Sequence, residues 1–196
     1  MKPSKNTFIK RQLFICIGIL MIALTGVAQN YRVSGTPLIS ITGTSTLHDW
    51  EMTSNQASLQ AAFETDAAGT PSKLTSLNLS IPAESLKSGK GAMDKNAYNS
   101  LKTDKNKLIT FQLTSATING KTIDNKGSLT IAGTTKPVQV NATFEVQGDG
   151  SLKFKGSKKI IMTEFNVEPP SFMFGSVKTG DEITLSFEII LSPTKL

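Results

Sequence analysis

The segment Ser45-Thr46-Leu47-His48-Asp49-Trp50-Glu51 holds the single histidine and the single tryptophan of this 196-residue chain. A hydroxyl three residues before an imidazole, with a carboxylate directly after it, is the raw material of a nucleophile, a base and its orienting acid. The spacing works against that use. In an extended segment His48 and Asp49 point to opposite faces, and neither Ser45 nor Thr46 lies in a G-x-S-x-G elbow. A triad depends on mutual geometry, so no catalytic residue is assigned. A metal centre needs three or four ligands; with one histidine and one cysteine, only a carboxylate-rich site around His48 could form, and neither a metal nor a cofactor is expected. Two readings stay open. In one, Asp49 caps a turn, His48 bonds the backbone and Trp50 packs on a core. In the other, this turn rims a cavity mouth, with Trp50 against a ligand and His48 or Asp49 at its head group.

The elements that would position this turn are strands. Val138, Val140, Ala142, Phe144 and Val146 alternate with polar residues, as do Ile183, Leu185, Phe187, Ile189 and Leu191. Leu77-Leu79-Ile81, Ile109-Phe111-Leu113, Leu129-Ile131, Leu152-Phe154 and Ile39-Ile41 repeat the period of two, which marks half-buried strands. Turn residues at Asn119, Asp124, Gly133 and Gly148 separate them. The pattern predicts about eight strands, near 37–45, 50–64, 72–82, 107–118, 124–133, 137–147, 151–164 and 180–192, mostly joined by hairpins and so antiparallel. Met93, Ala97, Tyr98 and Leu101 form one apolar helical stripe, which predicts a helix near 92–103 laid on the barrel end or an open sheet edge. The loop holding Pro169, Pro170, Phe172, Met173 and Phe174 must bury its apolar residues or bind with them.

The N-terminus is read apart. Lys2, Lys5, Lys10 and Arg11 precede the apolar run Leu13–Leu24, and small residues follow at Gly26 and Ala28. This is the pattern of a secretory signal over 1–28, cleaved after Ala28, leaving one domain over 29–196 in the periplasm or outside the cell. Four of the 21 basic residues lie in that segment, leaving 17 against 15 acidic ones. A nucleic-acid partner therefore loses its support, and none is expected. Cys16, the only cysteine, would leave with the signal, so no disulfide is expected.

Eight antiparallel strands could form a barrel, a sandwich or an outer-membrane pore. A pore needs aromatic girdles, and the chain has two Tyr and one Trp; the helix and the Pro-Pro loop also fit a spanning barrel poorly. Long strands with short connections favour closure. A closed eight-stranded barrel is either filled by its own side chains or holds one small ligand, and periodicity cannot choose between these.

Several segments resemble the YceI-like family of secreted lipid-binding domains: "SLTIAGTTKPVQVNATF" (128–144), "MDKNAYNSLKTDKNKLITF" (93–111), "KIIMTEFNVEPP" (159–170) and "GTSTLHDWE" (43–51). Asn106-Lys107 stands where that family commonly has Tyr-Pro, and Glu164 where it usually has Asp. The resemblance implies an all-β, about eight-stranded antiparallel lipocalin-like barrel, one short helix covering an end, and an apolar chain such as a polyisoprenoid in the lumen. The corresponding ligand-contact candidates are Trp50, Leu77, Leu79, Met93, Tyr98, Phe111, Leu113, Phe144, Phe172, Phe174, Leu185 and Phe187, with His48 and Asp49 as a polar rim. The alternative is a solid-core barrel serving as a structural or protein-interaction module, with Phe154, Met162, Phe165 and Met173 filling the interior; a hydrolase is the third reading. The expected helix and the 169–178 loop would border the same barrel end, near its entrance.

Overall fold

The computed structural model describes residues 27–66, 69–172 and 175–194. The expected signal segment through Gly26, Cys16, Met173 and Phe174 lie outside the described residues. Ten strands run β1 (Val27–Ser45), β2 (Trp50–Ser54), β3 (Ser58–Thr65), β4 (Pro71–Pro82), β5 (Leu108–Asn119), β6 (Thr122–Ile131), β7 (Thr134–Val146), β8 (Leu152–Ile161), β9 (Ser171–Phe172) and β10 (Val177–Pro193). The sheet order is β2-β1-β3-β4-β5-β6-β7-β8-β10-β9, and β1 also pairs with β10, which closes an antiparallel barrel. β3 and β2 occupy successive stretches of the same flank of β1, so eight staves close the wall while β2 and β9 are extra strands.

Three of the differences from the sequence reading have a clear local reason. β1 starts at Val27 rather than near 37, because the irregular stretch around Gly35 (φ 70°) is absorbed as a register shift between Ser34 and Leu38. The cleavage point expected after Ala28 therefore falls inside this strand. The expected strand 50–64 breaks at 55–57: the Ser54 hydroxyl accepts the Gln56 N–H (3.2 Å) and meets the Ser85 hydroxyl (2.6 Å), so side chains take over from the ladder there. The expected strand 151–164 stops at Ile161 and tightens into a 3₁₀ turn, Met162–Phe165.

The hairpin turns face one end of the barrel at β3–β4, β5–β6 and β7–β8. The other end carries the β1–β2 turn, the β6–β7 turn and both long crossovers. In the β6–β7 turn Ala132 and Gly133 both have positive φ (49° and 80°), the conformation whose twist matches a two-residue hairpin. The β4–β5 crossover contains a 3₁₀ turn (Ala83–Ser85) and the single described α-helix, α1 (Gly91–Leu101). α1 ends two residues before the expected position because Lys102 adopts a left-handed conformation (φ 54°), and Thr103 N–H then bonds Tyr98 O (3.1 Å). This helix is not long and apolar enough to cross a membrane.

Inward positions are mostly apolar and outward ones mostly polar. Tyr31, Ile39, Phe63, Leu74, Ile123, Phe144, Leu152, Phe154, Ile189 and Leu191 are buried inside the barrel. The outer wall of β8 and β10 carries Lys153–Glu188 (2.5 Å), Lys155–Glu188 (3.0 Å) and Lys159–Glu182 (2.8 Å). A lipid-facing wall would need the reverse arrangement, so this barrel does not have the faces of a pore.

Candidate ligand-binding site

Two inward glycines shape the lumen. A Cβ on Gly127 would come 2.5 Å from Phe111 Cζ, and one on Gly156 would come 2.5 Å from Phe187 Cζ. Both rings thus lie flat across a neighbouring strand instead of standing into the interior. The space they leave is an apolar inner cavity of about 90 Å³ that includes Leu77, Leu79, Phe111, Leu185 and Phe187 in its wall. At the helix-bearing end a larger cavity of about 370 Å³ lies between α1, the β1–β2 turn and the residues Met162, Val167, Pro170, Phe172 and Val177. Its size falls in the range of about 300–1,000 Å³ usual for small-molecule sites. The two cavities follow one another along the barrel axis: Leu185 and Ile160 line the inner one, and their inward neighbours Ile183 and Met162 line the mouth. Phe154, Met162 and Phe165 are buried, as the solid-core alternative expects. The voids beside them are nevertheless far larger than a methyl group, which a packed lumen would not leave.

The mouth is built from several elements. α1 turns Ala92, Met93, Asn96, Ala97 and Leu101 toward the cavity. Pairing of β9 with β10 sets Phe172 opposite Val177, and both line it. Trp50 lies over Gly43, whose missing side chain makes room for the indole, and its Nε1–H donates to Thr44 O (3.0 Å). Trp50 and His48 line this cavity, whereas Asp49 lies in a polar groove outside it with Glu51, Lys87 and Lys90. Of the expected contacts, Trp50, Met93 and Phe172 thus meet at the mouth, and Leu77, Leu79, Phe111, Leu185 and Phe187 in the inner cavity.

Three expected contacts have other surroundings. Phe144 stacks on Phe154 (centroids 5.7 Å apart), within the aromatic plug at the hairpin end, and lines neither cavity. Leu113 packs against the core outside both cavity walls. Tyr98 is an anchor for α1: its hydroxyl lies 2.8 Å from Leu86 O and 3.0 Å from Glu84 O, and accepts from Lys87 Nζ at 2.6 Å. That hydrogen bond pushes the Lys87 ammonium above its ordinary pKa. The stripe reading put Tyr98 on the apolar face because a helical wheel does not see its hydroxyl reaching the preceding loop.

A second clasp holds the start of α1. Asp94 is buried, and its Oδ1 accepts from Ser88 N–H (2.7 Å) and the Ser88 hydroxyl (2.6 Å). These bonds keep its carboxyl below the usual aspartate range. The loop is also tied to β2 by paired Thr53–Lys87 backbone bonds, each 2.8 Å.

The "STLHDWE" turn is organised through its main chain. The Ser45 hydroxyl donates to His48 O (2.7 Å) and accepts from the N–H groups of Leu47 (3.3 Å) and His48 (3.2 Å). His48 Nδ1–H donates to Asp49 O at 2.7 Å. The hydroxyl is thus committed to the turn, and the imidazole to a carbonyl, which is not a nucleophile–base–acid relay. Among the described residues no cluster of three or more His, Cys, Asp or Glu gathers as a metal site.

The YceI-like domain family matches residues 27–191. The chain belongs to the YceI-like family. This YceI-like chain is 33% identical, over 93 residues, to a UPF0312 protein of Pseudomonas aeruginosa; the match covers 45% of this chain and spans about half (47%) of that relative. Among solved structures it resembles Burkholderia cenocepacia BcnA (TM-score 0.66, 20% identity, 80% of this chain and 96% of that one). It also resembles a Saccharophagus degradans polyisoprenoid binding domain (TM-score 0.62, 10% identity, 84% and 98%) and the Campylobacter jejuni YceI protein (TM-score 0.56, 21% identity, 70% and 82%). At these identities the likeness is one of fold.

Lys158 and Asn125 were missed in the ligand-contact set, yet both line the inner cavity. The signal was available: on β8, Leu152, Phe154 and Ile160 face inward, and the same period of two carries Lys158 with them.

Proposed function

We propose that this YceI-like barrel is a non-catalytic carrier for an apolar chain, a polyisoprenoid or another lipid, which enters beneath α1 and extends into the lumen. The observation that carries this reading is the apolar mouth cavity of about 370 Å³ stacked on the inner cavity. Each methylene removed from water contributes about 0.8 kcal/mol, so a long tail binds tightly with few polar contacts. The polyisoprenoid binding ascribed to the Saccharophagus neighbour is consistent with it. The basic and apolar N-terminal segment supports export to the periplasm or beyond, with cleavage near the start of β1.

Native mass spectrometry of protein extracted without harsh detergent tests the reading. A co-purifying lipid, or stoichiometric uptake of an added isoprenoid, is the expected result. Protein that emerges empty and takes up no added chain would overturn it.

A further inference from the structure

The lumen is not wholly hydrocarbon. Asn125 is 7% exposed and faces inward; its Nδ2 donates to Val140 O (3.3 Å), but its Oδ1 is buried without a hydrogen-bond partner among the described residues. Lys158 also lines the inner cavity. Its neighbours on the strand, Lys153, Lys155 and Lys159, point outward and pair with Glu188 or Glu182. Lys158 is half-buried and forms no salt bridge or side-chain hydrogen bond with a described residue. The two side chains share one level of the barrel. Asn125 pairs with Val140 across β6–β7, and Lys158 with Leu185 across β8–β10. The β7–β8 register, Asn141 opposite Ser157, sets Val140 beside Lys158. Two strand spacings, about 10 Å, separate the two backbones, a gap that an extended lysine and a small head group can fill.

We propose that the inner cavity is a head-group site for a monoanionic carboxylate, with Lys158 as its counter-ion and Asn125 holding the ammonium. This rests on the carrier reading and names the end of the chain that goes in first. A cation inside apolar walls is costly unless it is paired, and an ammonium has three donors. One can go to Asn125 Oδ1 and two to the carboxylate. Among the described residues Lys158 is the only charged side chain lining this cavity, so its charge balances a monoanion and leaves a phosphate dianion unbalanced. The volume, about three waters' share of liquid, suits a carboxylate and one or two methylenes. From Lys158 the inward positions Ile160 and Met162 lead to the mouth, so the tail would lie beneath α1 and beside Trp50.

Trp50, the only tryptophan, supplies the readout. Delipidated full-length protein is titrated with hexadecanoic acid and with hexadecan-1-ol, following Trp50 emission. The wild type should bind the acid more tightly than the alcohol. Lys158→Met should weaken the acid by about ten- to a hundredfold, the scale of a lost charge-assisted pair, while alcohol binding changes little. Lys158→Arg should keep the preference, and Asn125→Leu should weaken the acid by a few-fold. Methionine suits an apolar wall, and a thermal melt of Lys158→Met no lower than wild type checks that the barrel is intact. Equal binding of acid and alcohol by both wild type and Lys158→Met overturns the head-group site while leaving the carrier standing. Failure of the wild type to bind either chain overturns both.

Discussion

At the hairpin end of the barrel, Tyr31, Phe63, Phe154 and Phe144 fill the lumen ring against ring, with centroids 5.4, 6.0 and 5.7 Å apart along the series. At the other end the chain crosses the opening twice, and a cavity of about 370 Å³ remains under the crossing segments. One end is closed by aromatic side chains grown inward from the staves. The other is closed by backbone segments pinned through polar clasps: Tyr98 to Leu86 and Glu84, Asp94 to Ser88, and Lys102 Nζ to Asn166 O (3.4 Å). Ring-on-ring packing gives stability and leaves little space for a guest. A cover held at its edges by hydrogen bonds can leave space and can open locally, because such bonds contribute only about 1 kcal/mol each.

The sharpest way to break this comparison is at the plug. Phe63 is 0% exposed and touches rings on two sides. Phe63→Ala should cost about 3–5 kcal/mol in urea unfolding, through lost burial and the cavity left behind. The fraction that stays folded should still take up lipid, since Phe63 lines neither cavity. Loss of uptake by the folded fraction would mean that the two ends are not independent.

The cover is the next target. Met93→Ala combined with Tyr98→Phe removes one apolar contact to the cavity and the hydroxyl that grips two carbonyls. The pair should cost about 2 kcal/mol and raise both on- and off-rates for lipid in stopped-flow exchange. Unchanged rates would leave α1 as a plain structural cap.

What the sequence disclosed follows the range of the interactions. Alternation read the staves, because each strand's burial repeats within itself; the stripe Met93, Ala97 and Leu101 read the helix face for the same reason. The break at 55–57 depends on Ser85, 31 residues from the Ser54 it meets, and no local pattern carries it. Phe144 and Phe187 both face inward on alternating strands. What separates them is that Phe187 lies across Gly156 and lines the cavity, while Phe144 meets Phe154 and packs. Lys158 was legible by parity alone, but a charge inside an apolar face contradicts the rule that finds the face.

A smaller effect distinguishes two similar clasps, one at each end. Asp94 accepts from Ser88 at the cover; Asp149 accepts from Ser151 N–H (2.9 Å) and Oγ (2.6 Å) at the β7–β8 turn. Both carboxyls are held below their ordinary range by these bonds. A depressed folded pKa adds stability at pH values above the unfolded range, near 3.9, and loses it as pH falls through the folded value. Each clasp should therefore weaken progressively below about pH 5. Asp94→Asn should speed lipid exchange a few-fold at neutral pH and reduce its further rise in acid. Asp149→Asn, at the plugged end, should shift the urea midpoint in acid but leave exchange unchanged. Equal effects of the two on exchange would show that the acid response does not belong to the cover.

The smallest expected effect is at His48, where the chemistry first looked richest. Its side chain is exposed, and its one hydrogen bond, from Nδ1–H to Asp49 O, lies within a turn that the Ser45 hydroxyl already holds through three contacts of its own. Removing the imidazole leaves no buried group unpaired. His48→Ala should shift stability by no more than about 0.5 kcal/mol, as exposed substitutions do. Its ring lines the mouth beside Trp50, so lipid affinity should stay within a few-fold, the change reflecting lost contact area. The same variant tests the reading that the turn's geometry disfavours. If the wild type hydrolysed an acyl ester and His48→Ala abolished that turnover with lipid binding intact, the turn would have to rearrange around a substrate, and the mouth would be an active site after all.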